Sequence, residues 1–317
     1  MSEHGEAPRK GCLRRGCLGC LVIVGAGIGL VVIMAVITLV RGVPDVVRED
    51  ESRTHSIARS PTESTREGRP LVVDEGRVGR VVLDVSMANF SIIPAPAGSE
   101  LRLDARYNSG SYKLEESMRG DGETGWTYRL SFGSRSVLNF IHVDAGDNRL
   151  ELHLPAGTPL TIEGELGVGQ TDLQLGGLWV QSVKLGAGVG DHRIGFDEPL
   201  PVPMSSFELD GSIGETSVSG LGNASPAEVK VRHRIGDIRV DLGGAWRNDA
   251  KISVRSSIGG FRIGLPDEDV GFELLRASIG IGEANTRRVG ERSEAPAGAP
   301  VVQLEASHSI GELLLTR

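Results

Sequence analysis

The sequence predicts an all-β protein, a glycine-cornered parallel β-solenoid carried on a single N-terminal transmembrane helix. Three observations predict it. Ile/Val-Gly pairs recur at Val168-Gly169, Val189-Gly190, Ile213-Gly214, Ile235-Gly236, Ile258-Gly259, Ile279-Gly280 and Ile310-Gly311, in steps of 21, 24, 22, 23, 21 and 31 residues. A period of this length marks a repeat architecture. Of 317 residues 44 are glycine and only 4% are aromatic, which suits tightly turning strands of small and branched side chains. Finally, Leu21 to Val40 is a run of 20 residues without a charge.

Taken in chain order, residues 1–20 form a short basic tail containing Arg9, Lys10, Arg14 and Arg15. With Glu3 and Glu6 it carries +2, leaving −10 on the rest of a chain whose net charge is −8. So acidic a body argues against nucleic acid as a partner. Cys12, Cys17 and Cys20 all lie in this tail, so nothing after it can form a disulfide. Their spacing matches the start of an iron–sulfur pattern, but a fourth cysteine and a domain to shape the cluster are missing. Reduced cytoplasmic thiols are the expectation, and juxtamembrane acylation the alternative.

Leu21 to Val40 is long enough as a helix to cross a hydrocarbon core of roughly 30 Å. A cleaved signal peptide would have an apolar region of about 7 to 15 residues ending in small side chains. Here Arg41-Gly42-Val43-Pro44 follows instead. The basic tail outweighs Arg41, Arg48 and Arg53 slightly, which places the N-terminus in the cytoplasm and the main body outside, periplasmic or extracellular. The glycine-rich stretch from Val24 to Leu30 fails as a dinucleotide-binding turn, because Leu30 stands where a third glycine is needed. Gly25 and Gly29 do form a GxxxG pair, which permits helix-mediated homo-oligomers.

Residues 41–76 are polar, charge-rich and without apolar period, as expected of a disordered tether. Strand-like alternation begins with Val81, Leu83, Val85 and Met87 and continues through Phe90 and Ile92, Tyr128 to Phe132, Val137 to Val143 and Leu150 to Leu154. Residues 77–158 are thus either irregular first turns of the array or a small β-domain.

In residues 159–317, aligning the seven pairs places Ile162, Val183, Phe207, Val229, Ile252, Glu273 and Leu304 six positions before each Ile/Val. Five positions after it stand Leu173, Ile194, Val218, Val240, Ile263, Ala284 and Leu315. Even spacing before the pair and odd spacing after it cannot belong to one straight strand. The chain must bend at Gly169, Gly190, Gly214, Gly236, Gly259, Gly280 and Gly311, where a Cβ would be penalised. Each strand–corner–strand unit buries its apolar face only by stacking on the next, about 4.8 Å away. A β-sandwich of hairpins is the competing architecture, but it would want a two-residue turn signal at each reversal.

Leu154-Pro155-Ala156-Gly157-Thr158-Pro159-Leu160, Leu166-Gly167-Val168-Gly169-Gln170-Thr171-Asp172-Leu173 and Leu185-Gly186-Ala187-Gly188-Val189-Gly190-Asp191 carry a family likeness. Over roughly residues 80 to 317 the chain resembles the bacterial putative-adhesin family and the related LiaF-like cell-wall-active antibiotic response domain. The resemblance implies a bacterial envelope protein and brings no catalytic residue with it. The chain departs from the usual LiaF-like plan in having one helix where those proteins have several.

Residues with chemistry are scattered. None of the seven histidines forms a zinc-type pair, and His233 and His308, three repeats and roughly 14 Å apart, are expected near the surface at corners. No nucleophile elbow or phosphate-binding loop is present. Glu163, Glu165, Asp172, Glu208, Asp210 and Glu215 could serve a β-helical carbohydrate enzyme only by converging, and solvated charged faces explain them better. Arg232, Arg255 and Arg276 share one repeat position, with Arg239 and Arg262 at another. Stacked, they would make a stripe for an anionic envelope polymer or acidic partner; screening by Asp237, Asp241 and solvent is the simpler account. Leu313 to Arg317 end the chain inside an apolar strand, which points to an uncapped C-terminal rung open to strand addition, unless residues 285–300 fold over it.

The expectation is therefore a non-enzymatic, cofactor-free binding, adhesion or scaffold protein anchored in a bacterial cell membrane. A regulatory partner of an envelope-stress sensor kinase is the first alternative, and a β-helical carbohydrate-active enzyme the second.

Overall fold

A computed structural model describes residues 52–59, 78–121, 125–135, 148–285, 292–293 and 296–316. The tail cysteines, the Leu21 to Val40 helix with Gly25 and Gly29, and the Val137 to Val143 strand lie outside the described residues. No helix among those described is long and apolar enough to cross a membrane.

The described chain is all-β. Its strands are β1 (Ser52–Arg59), β2 (Val78–Met87), β3 (Asn89–Ala95), β4 (Leu101–Asn108), β5 (Tyr112–Asp121), β6 (Gly125–Ser134), β7 (Arg149–Pro155), β8 (Leu160–Val168) and β9 (Thr171–Gln174). There follow β10 (Val180–Gly195), β11 (Ser206–Ser219), β12 (Glu228–Ile235), β13 (Ile238–Asp241), β14 (Ala250–Gly264), β15 (Gly271–Asn285), β16 (Arg292–Ser293) and β17 (Val301–Thr316). One four-residue helix, α1 (Leu221–Ala224), sits between β11 and β12.

From β8 onward the strands pair in parallel, in near-perfect register, apart from the two-residue β16, which is antiparallel to β15. Each of β10, β11, β14, β15 and β17 runs through the corner without a break, whereas β8–β9 and β12–β13 are interrupted there. Val183 lies beside Phe207, Phe207 beside Val229 and Val229 beside Ile252, while Ile194 lies beside Val218 and Val218 beside Val240. The inward rows read from the sequence are therefore real stacks, except that Ala284 leaves its row and lies beside Leu313 rather than Leu315. The described strands between residues 78 and 155 join the same stack: β2 pairs in parallel with both β6 and β8, and β3 with both β7 and β9. Antiparallel strands finish that end, β5 on β6 and β4 on β7, with β1 on β4. Within the span expected as a tether, Ser52–Arg59 forms a strand whose residues pair along all of β4.

Rung order does not follow chain order. β2 and β3 lie one place in from one end, and β17 lies between β14 and β15. The C-terminal strand is consequently paired on both sides, and the expected open C-terminal rung is instead β15. Composition accounts for the exchange. β17 supplies Val302, Leu304, Ala306, Leu313 and Leu315, all buried, whereas β15 is exposed over most of its length. An inner position has two neighbours to bury against and goes to the more amphipathic strand.

The corner obeys one steric rule. Gly190, Gly214, Gly236, Gly259 and Gly311 have φ of 146°, 122°, 120°, 129° and 138°. A Cβ on any of them would run into the carbonyl oxygen of the corner glycine one rung below. The sixth corner is Gly282, with φ of 133°, and not Gly280. Leu275 bulges out of β15, so Leu274 lies beside Leu304 but Arg276 beside Glu305, and Gly282 comes to rest on Gly311. The same bulge removes the anomaly of Glu273 in an inward row, because Leu274 takes that place.

One continuous core results. Inward rows from both faces meet Phe196, Leu200, Met204, Leu221 and Trp246, which close the side away from the corner. The Trp246 indole N–H donates to the Leu242 carbonyl at 2.7 Å, so its polar atom is satisfied inside.

Gly236→Val should cost about 3 kcal/mol or more in urea unfolding, combining positive φ with a clash against Gly214. Ile235→Thr beside it should stay within about 1 kcal/mol, because that side chain faces solvent. Equal costs for the two would remove the steric basis of the corner.

Candidate functional site

Bending at the corner decides where the residue before each glycine points. Inward side chains stand two residues before it, at His233, Ser256 and His308, and three after it, at His192, Thr216 and Phe261, all buried. The Ile or Val between must point away from the core, on the convex side of the bend. Val189, Ile213, Ile235, Ile258 and Ile310 are each between 44% and 46% exposed. They neighbour one another rung by rung, with Val168 at one end and Ile281 at the other. Seven aliphatic side chains thus form a solvent-facing ladder roughly 29 Å long.

Its two flanks differ. On the side before the corner the adjoining positions are mostly small, namely Gly167, Gly188, Ser212, Ser257 and Ser309, with Arg234 the exception. Arg234 is held by Asp210 at 3.2 Å and by the Ser212 hydroxyl at 2.6 Å. On the far side Asp191, Glu215 and Asp237 form an acidic row, and Asp237 accepts the Gly260 N–H of the next rung at 2.8 Å.

The five arginines do not make one stripe. Arg232 lies beside Arg255 before the corner and Arg239 beside Arg262 after it, on opposite flanks of the ladder. Arg276 leaves the row altogether and faces Glu305, because of the Leu275 bulge. Beyond Arg255 comes Ser307, and beyond Arg262 comes Leu314, so each like-charge contact is two residues long. Four of the candidate acids, Glu163, Glu165, Glu208 and Asp210, line one shallow depression before the corner, together with Lys184, Lys230 and Arg232. Glu163 pairs with Arg80, Glu208 lies between Lys184 at 3.6 Å and Lys230 at 3.9 Å, and Asp172 accepts from Gln174 at 2.8 Å. Glu165 and Glu215 sit on opposite sides of the corner. Among the described residues no three His, Cys, Asp or Glu side chains could share a metal.

The histidines are not surface groups. His192, His233 and His308 are 2% to 4% exposed, directly under the corner. With β17 moved inward, His233 and His308 are two rungs apart rather than three, with Ser256 between them. They brace the bend: His233 Nε2 lies 3.2 Å from the Gly214 carbonyl, and His308 Nε2 3.0 Å from that of Gly259. His233 Nδ1 meets the Thr216 hydroxyl at 3.3 Å, and His192 Nδ1 that of Thr171 at 3.1 Å. Burial holds the pKa of both His192 and His233 below the ordinary histidine value. For His192 the Asp191 carboxylate opposes that shift, and Nε2 has no hydrogen-bond partner.

Together these features define a class, an all-β repeat protein that presents a continuous apolar ladder to solvent. Residues 73–214 match the family model described as the N-terminal domain of toast_rack, DUF2154. That span contains the segments from Leu154 to Asp191 that carry the adhesin-family likeness, and the likeness stands there. The chain is also similar to a solved structure described as a "putative cell adhesion protein" from Clostridium sporogenes ATCC 15579. Identity is 12%, the TM-score is 0.41, and the match covers 84% of this chain and 99% of that one, too loose a likeness to carry weight. No curated protein matches the chain.

His192 and His233 give the stack an acid limit. Because their folded pKa lies below the unfolded value of about 6.5, the unfolded chain binds protons first as pH falls. Stability from these groups is full above that value and is lost as pH drops through and below it. The urea midpoint should fall between pH 8 and pH 5, and less steeply in a His192→Asn, His233→Asn double variant. A variant with the same slope as the parent would remove the histidines from the account.

Proposed function

We propose that this chain is a glycine-cornered β-solenoid on a single membrane-spanning helix, acting by binding, as an adhesion or scaffold module of a bacterial envelope. The observation that supports this reading is the aliphatic ladder. Facing solvent, the position before each glycine needs only a residue suited to extended backbone, and threonine would satisfy that. Rung-on-rung contact stabilises neighbouring aliphatic side chains by about 0.2–1 kcal/mol per pair, which accounts for their buried halves. The outer halves form a contiguous apolar strip, the kind of surface that marks a contact site. Small residues on one flank leave it accessible, and the other flank sets Asp191, Glu215 and Asp237 beside Arg193, Arg239 and Arg262, a mixed charged border for the strip.

Of the candidate acids, Glu163 and Glu208 are engaged in rung-to-rung ion pairs, and Asp172 and Glu215 are separated from the others by the corner, which supports binding over carbohydrate chemistry. An N-terminus in the cytoplasm and a solenoid outside the membrane would place the ladder among envelope components.

Ile213→Lys with Ile235→Lys tests the reading on the full-length chain. Thermal stability should change little, while retention of the chain on isolated bacterial envelopes should fall about tenfold or more. Unchanged retention would show that the ladder is not the contact surface.

A further inference from the structure

The two ends of the stack are finished differently. At one end antiparallel strands cover β6 and β7. At the other, β15 carries β17 on its inner side and only the two-residue β16 on its outer side, against Phe272 and Glu273. From Leu274 to Asn285 the outer edge has no strand partner among the described residues. It is also apolar, with Leu275 49% and Ile281 69% exposed. Such an edge is a template for another strand.

Which backbone groups it offers can be read from the rungs beneath. After the corner, Gly236 N donates to Ile258 O at 2.8 Å and Thr216 N to Asp237 O at 2.9 Å, each to the next rung. Before the corner, the outward-facing Glu228 and Lys251 donate backward, to Ser205 O at 3.2 Å and Ala227 O at 3.0 Å. Residues that face the core on that arm must then point their backbone groups forward. On β15 the groups left to a newcomer belong to Ala277 and Ile279 before the corner and Gly282 and Ala284 after it.

We propose that β15 is a homodimer edge, on which the β15 of a second copy of this chain pairs antiparallel about a two-fold axis through the corner. That axis lays the arm before the corner of one copy on the arm after the corner of the other. Ile279 then opposes Gly282 and Ala277 opposes Ala284, so every offered group meets another. Arg276 of each copy falls diagonally across from Glu283 of its neighbour, within reach of a long side chain. The edge is therefore self-complementary in charge as well as in backbone, and the contact occurs twice by symmetry. Pairing would also bury Leu275 and Ile281 and extend the sheet from one molecule into the next. A second copy is favoured over an unrelated extended peptide because both halves of each charge pair lie on this one strand.

Sedimentation of the full-length chain tests the proposal through charge reversal. The parent should dimerise, Arg276→Glu should weaken the dimer about tenfold or more, and Arg276→Glu with Glu283→Arg should restore it. Glu283→Arg alone reads the same contact if Arg276→Glu does not fold. In the dimer, amide exchange at Ile279 and Gly282 should slow relative to the dilute monomer. A chain that stays monomeric, a dimer indifferent to charge reversal as one held by Gly25 and Gly29 would be, or amides that exchange equally fast in both states would overturn it.

Discussion

The structure depends on a missing atom. At each corner from Gly190 onward the backbone takes a positive φ and passes so close to the neighbouring rung that a Cβ would meet the carbonyl oxygen of that rung's corner glycine. Only glycine meets both demands. Because each glycine rests on another, one rung's register fixes the next, and the inward rows align along the whole stack. Continuous burial of Phe207, Val229, Ile252 and their neighbours follows from that alignment. The buried histidines are part of the same device, since a bent chain leaves carbonyls turned inward and His233 and His308 supply donors to them.

The same bend produces the outward ladder. Four residues lie between the inward side chain before the corner and the one after it, and the middle of that interval has nowhere to point but outward. A fold requirement therefore places one side chain per rung on the convex edge, spaced by the strand separation. Filling those places with Ile and Val turns a geometric by-product into a surface for contact. The acidic row on one flank and small residues on the other give that surface a direction.

Much of this was legible in the sequence. The Ile/Val-Gly period, the change of parity across it and the inward rows were visible, because glycine and alternation are local signals. Other features were hidden for physical reasons. The bulge at Leu275 leaves no mark in composition, so the sixth corner was placed at Gly280 instead of Gly282, and Arg276 was assigned to a row it does not join. The step of 31 residues did carry a warning: the longest interval is where the chain turns back and β17 enters beneath β15. Rung order depends on which strand has more apolar surface to bury, a comparison between distant segments that no local window contains. The ladder is not legible because the pattern alone does not say which way the Ile or Val at the bend points, and the buried histidines are not because polarity favours an outward position.

The most direct test of in-register stacking, and of the exchanged rung, is disulfide trapping in a chain whose native cysteines are replaced by serine. Ser253 and Glu305 are neighbours across β14 and β17, and Arg276 and Glu305 across β15 and β17, while Ser253 and Arg276 are two rungs apart. Adjacent rungs about 4.8 Å apart suit a disulfide, and two rungs do not. Cysteines at 253 and 305, or at 276 and 305, should cross-link within one chain, and cysteines at 253 and 276 should not. Cross-linking of 253 with 276 in preference to 253 with 305 would mean that the rungs follow chain order, and would contradict the stack described above.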